Sequence, residues 1–225
     1  ESTSPTPLCS AVSIDSAFAL TSAKCLDGFL NDPQSLVYST KPNIKNYKRF
    51  VKVSNIWTPN YEDLTADLAI VKLDVADKGL LPQNSVCYLD AVKPIKKQSG
   101  SSTSYKEVHI LRDAGNDGAD RNLEINLNII STAECSLRFG PENIPRHIFC
   151  AEILDDSVPA PVASGTGLYA RHKNSMSGEM QVYLKGIAIQ PEFPVSSAEY
   201  VKKHQLFINT RYFLNWVTEV LEKNF

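Results

Sequence analysis

Short apolar segments recur along this chain, with polar, turn-forming stretches between them. Ala17–Ser22, Leu36–Ser39, Phe50–Ile56, Leu68–Leu73 and Glu107–Leu111 form one series. Leu123–Ile130, Ile148–Ala151, Leu168–Arg171, Met180–Ile189 and Leu206–Asn209 form a second. Leu123, Ile125, Leu127 and Ile129 alternate with Glu124, Asn126 and Asn128, the period-two signature of a strand with one buried face. Many short strands split by Pro, Gly, Asn, Asp and Ser predict an all-β barrel or sandwich. The end of the chain differs. Tyr212, Phe213, Trp216, Val217, Val220 and Leu221 recur at helical spacing, with Glu219, Glu222 and Lys223 mostly opposite, and predict one amphipathic helix packed on the β body. A shorter helix is expected over Thr132–Arg138, with Ser131 or Thr132 as its N-cap. No internal repeat points to a repeat architecture.

Length and composition narrow the reading. A chain of 225 residues can bury its core in one compact unit or in two small barrels sharing an interface. It contains no run of eighteen apolar residues, so no helical membrane span is expected. The start, ESTSPTPLC, is polar and Pro-rich and is not itself a signal peptide. A formal net charge of −2 gives no general attraction to nucleic acid. Five cysteines is an odd number, and their spacing favours disulfides and an oxidising compartment over a set of buried thiols. Ile95–Lys106 and Asp113–Asp120 read as exposed loops. The acids of the second do not follow the usual calcium-loop spacing, so it reads as a solvated turn. Lys41, Lys45, Lys48, Arg49 and Lys52 concentrate positive charge in one segment, either a strand edge protected by lysines or a patch for an acidic partner.

Four anchors carry a family resemblance. LCSAVSIDSAFALTSAKCL, from Leu8 to Leu26, is similar to CGGSLI…WVLTAAHC, with TSAKC in place of TAAHC. ADLAIVKL, from Ala66 to Leu73, resembles NDIALLKL. Leu123–Cys135 with HIFCAE resembles a strand and helix leading to a cysteine, followed by MICAG. PVASGTG, from Pro161 to Gly167, stands in place of CxGDSGGP, while Gly186–Ile189 resembles GIVS and Gln205–Val220 resembles the final strand and helix. In register, these anchors resemble the trypsin-like (chymotrypsin-fold) serine proteases over nearly the whole chain. The resemblance implies two six-stranded antiparallel Greek-key β-barrels, roughly residues 8–100 and 106–208, and a C-terminal helix over 210–223. It also implies disulfides Cys9–Cys25 and Cys135–Cys150, each closing a loop whose chain-entropy contribution is roughly 3 kcal/mol. Cys87 would then bond to an upstream domain or light chain. Only eight residues precede Cys9, so the first barrel is expected to lack its N-terminal strand or to take it from a severed segment.

The resemblance places Lys24 at the catalytic histidine, Asp67 at the aspartate and Ser164 at the nucleophile. The family mechanism needs a neutral imidazole to take the serine proton, a carboxylate to orient it, and backbone N–H groups for the oxyanion. Lysine serves as a base only where burial or nearby positive charge pulls its pKa down from about 10.4, and Asp67 would favour the charged form. Val162 stands where the family keeps an oxyanion-hole glycine, and a β-branched residue disfavours unusual backbone angles. Ala163 stands where the family keeps the aspartate that binds the new α-amine after activation cleavage. His109, His147, His172 and His204 read as surface or satisfied residues, and no pair has metal-ligand spacing.

These losses imply a non-catalytic serine protease homologue, secreted, with no cofactor or metal, acting by protein–protein binding. Its expected partners are a protease, a zymogen or another component of an immune, clotting or host–parasite cascade, with no nucleic acid and no membrane. Two alternatives stand beside it. One is an active hydrolase with a rewired Ser164–Lys24 site. The other is a recognition module for a receptor or foreign surface; a ligand-binding or structural β protein unrelated to proteases is a further reading.

Overall fold

The computed structural model describes residues 8–39, 50–59, 66–74, 107–113, 121–139, 144–154, 163–173, 180–190 and 203–224, with 107–113, 121–126, 138, 171–173 and 180–181 through their backbone alone. Five strands form the first sheet: β1 (Val12–Ser13), β2 (Phe18–Thr21), β3 (Val37–Tyr38), β4 (Val51–Trp57) and β5 (Ala69–Leu73). They pair antiparallel in the order β1-β2-β5-β4-β3. Six more follow: β6 (Glu107–Asp113), β7 (Arg121–Ile129), β8 (Ile148–Ile153), β9 (Gly167–Lys173), β10 (Met180–Ile189) and β11 (His204–Asn209). These close a barrel in the order β10-β11-β8-β7-β6-β9. Strands β6, β7 and β8 are consecutive neighbours and β9 returns beside β6, which is a Greek key. Helix α1 (Thr132–Phe139) joins β7 to β8, and α2 (Leu214–Asn224) ends the described chain.

The all-β fold with a closing helix agrees with the sequence reading. Its second unit is the expected six-stranded barrel, while the first has five described strands in an open order. Strand β1 is only two residues long and escaped the hydrophobic pattern. The two edges of this sheet nevertheless approach one another, because Ser13 Oγ on β1 and Tyr38 OH on β3 are hydrogen-bonded at 2.8 Å. Ser131 rather than Thr132 caps α1, its Oγ accepting the Glu134 N–H at 3.2 Å. Cys135 on α1 is disulfide-bonded to Cys150 on β8, as expected, and ties that helix to the barrel.

Burial explains why so many strands read as apolar runs rather than clean alternation. On β2, Phe18 and Leu20 face one apolar cluster while Ala19 faces another. On β5, Ile70 joins the first, and Ala69, Val71 and Leu73 join the second. On β11, Leu206 and Ile208 face the same cluster as Phe18, while Phe207 fills the barrel interior with Leu127, Ala151, Ile153, Leu168 and Ala188. Both faces of these strands are therefore dry, and period two is hidden. A bulge in β10 between Leu184 and Gly186 shifts the register, so that Leu184, Ile187 and Ile189 all reach the shared cluster.

Helix α2 lies across the join between the two units. Phe213, just before it, and Val217 and Val220 within it are buried in the shared cluster. Its far end is held by the first sheet: Lys72 Nζ on β5 donates to the Asn224 carbonyl oxygen at 2.7 Å, with the ammonium 5.7 Å from the Phe18 ring centroid. A cation at a helix C-terminus also meets the negative end of the helix dipole. Lys72→Met keeps the side-chain stem over Phe18 and removes the donor. It should lower stability by about 1–2 kcal/mol, read as an earlier urea midpoint at unchanged slope.

Candidate active site

The site is built from two turns, one in each unit. In the first, β2 ends at Thr21 and leads through Ser22 and Ala23 into a 3-10 turn, Lys24–Phe29. Asp67, at the entry to β5, is only 8% exposed, and its Oδ1 accepts from Ser22 Oγ at 2.7 Å and from the Lys24 main-chain N–H at 2.8 Å. A buried carboxylate needs such donors to offset its lost hydration. Ser22 itself is 1% exposed, so its hydroxyl bonds within the fold rather than to water. The Lys24 side chain, in contrast, is exposed.

In the second unit, Ser164 sits on a tight turn before β9. The Thr166 N–H and Oγ1 both donate to the Ala163 carbonyl, at 3.1 and 2.6 Å. Gly165 takes a φ of +86°, the sign a type II turn requires of its third residue. The turn is fixed on both sides. The Ser10 N–H donates to the Ser164 carbonyl at 2.9 Å, and the Gly165 N–H donates to the Ala188 carbonyl at 2.8 Å. Thr21 Oγ1 donates in turn to the Ser10 carbonyl at 2.6 Å, so the first sheet holds the segment that holds the turn.

Ser164 is half-buried and reaches the first unit through Cys25, with which its hydroxyl is hydrogen-bonded. The structure therefore sets the Ser164 turn against the segment that holds Lys24 and Cys25, where the Lys24 N–H meets Asp67. Ala163 is exposed beside Ser164. Val162, Cys87, Lys41, Lys45, Lys48 and Arg49 lie outside the described residues, as do the loops over 95–106 and 114–120; Lys52 is described and exposed on β4.

Two expectations need correction. Cys9 and Cys25, expected as a disulfide, stand as two thiols in hydrogen-bond contact, the reduced form of that pairing. The Cys9 hydrogen bond draws the Cys25 thiol down to about 7, aided by Ser22 and Ser164 and opposed by burial and the Asp67 charge. Cys9 is pushed up, first by its bond to Cys25 and then by burial. Histidines were read as exposed or satisfied, but His147 is 3% exposed and its Nε2 finds no hydrogen-bond partner among the described residues. His204 is equally buried, and His109 and His172 lie on β6 and β9. Among the described residues no group of three His, Cys, Asp or Glu gathers as metal ligands.

Sequence reasoning missed Ser22, Ser10 and Thr21. Ser22 sits within the TSAKC segment, but only the fold shows its hydroxyl directed at Asp67. Ser10 acts through its main chain, which leaves no side-chain signal.

Two outcomes follow from this geometry. A Cβ at Gly165 would run into the Ser10 carbonyl and the Thr21 hydroxyl and would sit at positive φ. Gly165→Ala should therefore cost at least about 2 kcal/mol in thermal or chemical unfolding. In fully reduced protein, alkylation of Cys25 should reach half its maximal rate near pH 7, with Cys9 reacting only at much higher pH. Mass spectrometry of alkylated peptides across a pH series reads both.

None of the curated proteins compared matches the chain. Among protein families, the model described as Trypsin matches residues 1–217, which takes in both β units, the Asp67 turn and the Ser164 turn. On that match and this architecture, the chain belongs to the trypsin family of serine proteases.

Proposed function

We propose that this chain is a secreted serine protease homologue that does not cleave peptides and acts by binding other proteins. The observation that carries the reading is the environment of Asp67. The carboxylate that would orient an imidazole is present, buried and held by Ser22 Oγ and the Lys24 N–H, but the residue at the base position is an exposed lysine. A lysine that acts as general base is one withdrawn from water or set beside other cations. Lys24 is exposed rather than buried, and its neighbour Asp67 is an acid.

The Ser164 turn supports the same reading. Ala163 offers no carboxylate to bind a new α-amine, so activation cleavage would have no latch to close there. What remains is a rigid two-unit scaffold whose connecting loops are free to diverge toward a partner, as loops on such scaffolds do. The Cys135–Cys150 disulfide supports an oxidising compartment, and with it secretion. A partner in a protease cascade (a protease, a zymogen or a protease target) is the class this scaffold suits, with Cys87 available for a bond to an upstream segment.

A fluorophosphonate probe tests the loss of catalysis directly. No labelling of Ser164 is expected between pH 6 and 10, and labelling there would restore the rewired Ser164–Lys24 hydrolase. Crosslinked affinity capture from the native secreted fluid, read by mass spectrometry, tests the binding role. A protease or zymogen is expected; recovery of only a receptor or a foreign surface molecule replaces the cascade role with recognition.

A further inference from the structure

His147 lies at the start of β8, under the turn that feeds α2. Its ring meets the Phe213 ring edge-on, with centroids 5.7 Å apart and planes at 86°. Its carbonyl accepts the Asn209 N–H at 2.8 Å, and the Asn209 side chain accepts the Arg211 N–H, capping the 3-10 turn Thr210–Phe213. Thr210 Oγ1 fastens the same turn to the Leu184 carbonyl at 3.0 Å. The imidazole is thus one wall of the socket that receives Phe213, itself 1% exposed.

We propose that His147 is an acid-sensitive latch for the C-terminal helix, loosening the Thr210–Phe213 turn below neutral pH and with it the hold of α2 on the first sheet. The geometry admits only the neutral ring. The imidazole is 3% exposed, packed against the Phe213 ring, and its Nε2 has no described acceptor for a second proton.

Among the described residues, the charged groups on the surrounding elements do not offset this. Arg146 beside it and Arg211 on the turn are cations, and both are exposed. Glu152 lies toward the far end of β8, opposite His204 in the ladder, whereas Ile148 next to His147 pairs with Ile208. On α2, Glu219, Glu222 and Lys223 are exposed, and Glu219 is engaged by Lys223 at 2.6 Å. Burial accordingly lowers the His147 pKa below its ordinary 6.5.

The direction of the effect follows from proton counting. With the docked-state pKa depressed, the undocked chain binds more protons below about pH 6.5, so acid favours undocking. The undocked population should grow by up to about tenfold per pH unit until the docked-state pKa is reached. Above neutral pH the latch is fully closed. Because Phe213, Val217 and Val220 belong to the core shared by both units, and Lys72 grips the far end of α2, release at His147 weakens the bond between the units.

Amide hydrogen exchange of α2, corrected for the intrinsic pH dependence of exchange, reads this directly. Protection of Leu214–Asn224 should fall by up to about tenfold between pH 6.5 and 5.5 in the wild type and stay flat in His147→Phe, which keeps an aromatic ring and cannot titrate. An equal fall in both proteins, or a fall shared equally by β7 and β8, overturns the latch. Should the variant not fold, NMR titration of the His147 ring in the wild type decides: a midpoint below 6.5 is expected, and one at or above 6.5 overturns the proposal.

Discussion

The apolar core shared by the two β units is the constraint on which the rest of the molecule depends. Phe18, Leu20, Leu68 and Ile70 from the first sheet meet Leu184, Ile187, Leu206 and Ile208 from the barrel, and Phe213, Val217 and Val220 complete the cluster. Each unit also has a smaller core of its own. At roughly 25 cal/mol for each Å² of apolar surface removed from water, separating such faces is costly, so the units are held in one relative placement. That placement carries the Ser164 turn of one unit against Cys25 of the other, beside the Lys24–Asp67 turn. The polar contacts across the join, Ser10 to Ser164 and Thr21 to Ser10, fix the register that the core only makes close.

A site assembled in this way keeps its shape through contacts that are structural in their own right. Asp67 still receives a main-chain N–H and a hydroxyl, and Gly165 still turns Ser164 toward the first unit. Those features serve stability as well as catalysis, because an unsatisfied buried carboxylate or a strained turn would destabilise the fold whatever the protein does. The Lys24 side chain, at the position the resemblance gives to the base, is exposed. The thiol pair Cys9 and Cys25 belongs to the structural group: the two meet beside the same turn, and Cys25 touches Ser164.

Helix α2 adds a different kind of coupling. It is joined to the barrel through the Thr210–Phe213 turn and to the first sheet through Lys72 and Asn224. A change at one end therefore reaches both units. His147 stands at the barrel end of that span with a titratable ring in an apolar setting, which is why a single proton there acts on the packing between units rather than on one loop.

The sequence by itself determined the fold class, most strands to within about two residues of their ends, both helices and the Cys135–Cys150 pairing, because these rest on periodicity, turn residues and spaced motifs that are local in the chain. It missed β1, since two residues are too few to show a period, and it left the cap of α1 open between two adjacent hydroxyl residues. It also read as simple runs the strands that the structure shows to be buried on both faces. Only the tertiary structure decided that Ser22 satisfies Asp67, that the Ser10 main chain fixes the Ser164 turn, that Cys9 and Cys25 meet as thiols, and that His147 is sealed against Phe213. Each of these depends on which side chain points into which space after distant segments pack, and no local pattern in one strand records what another strand will bring against it.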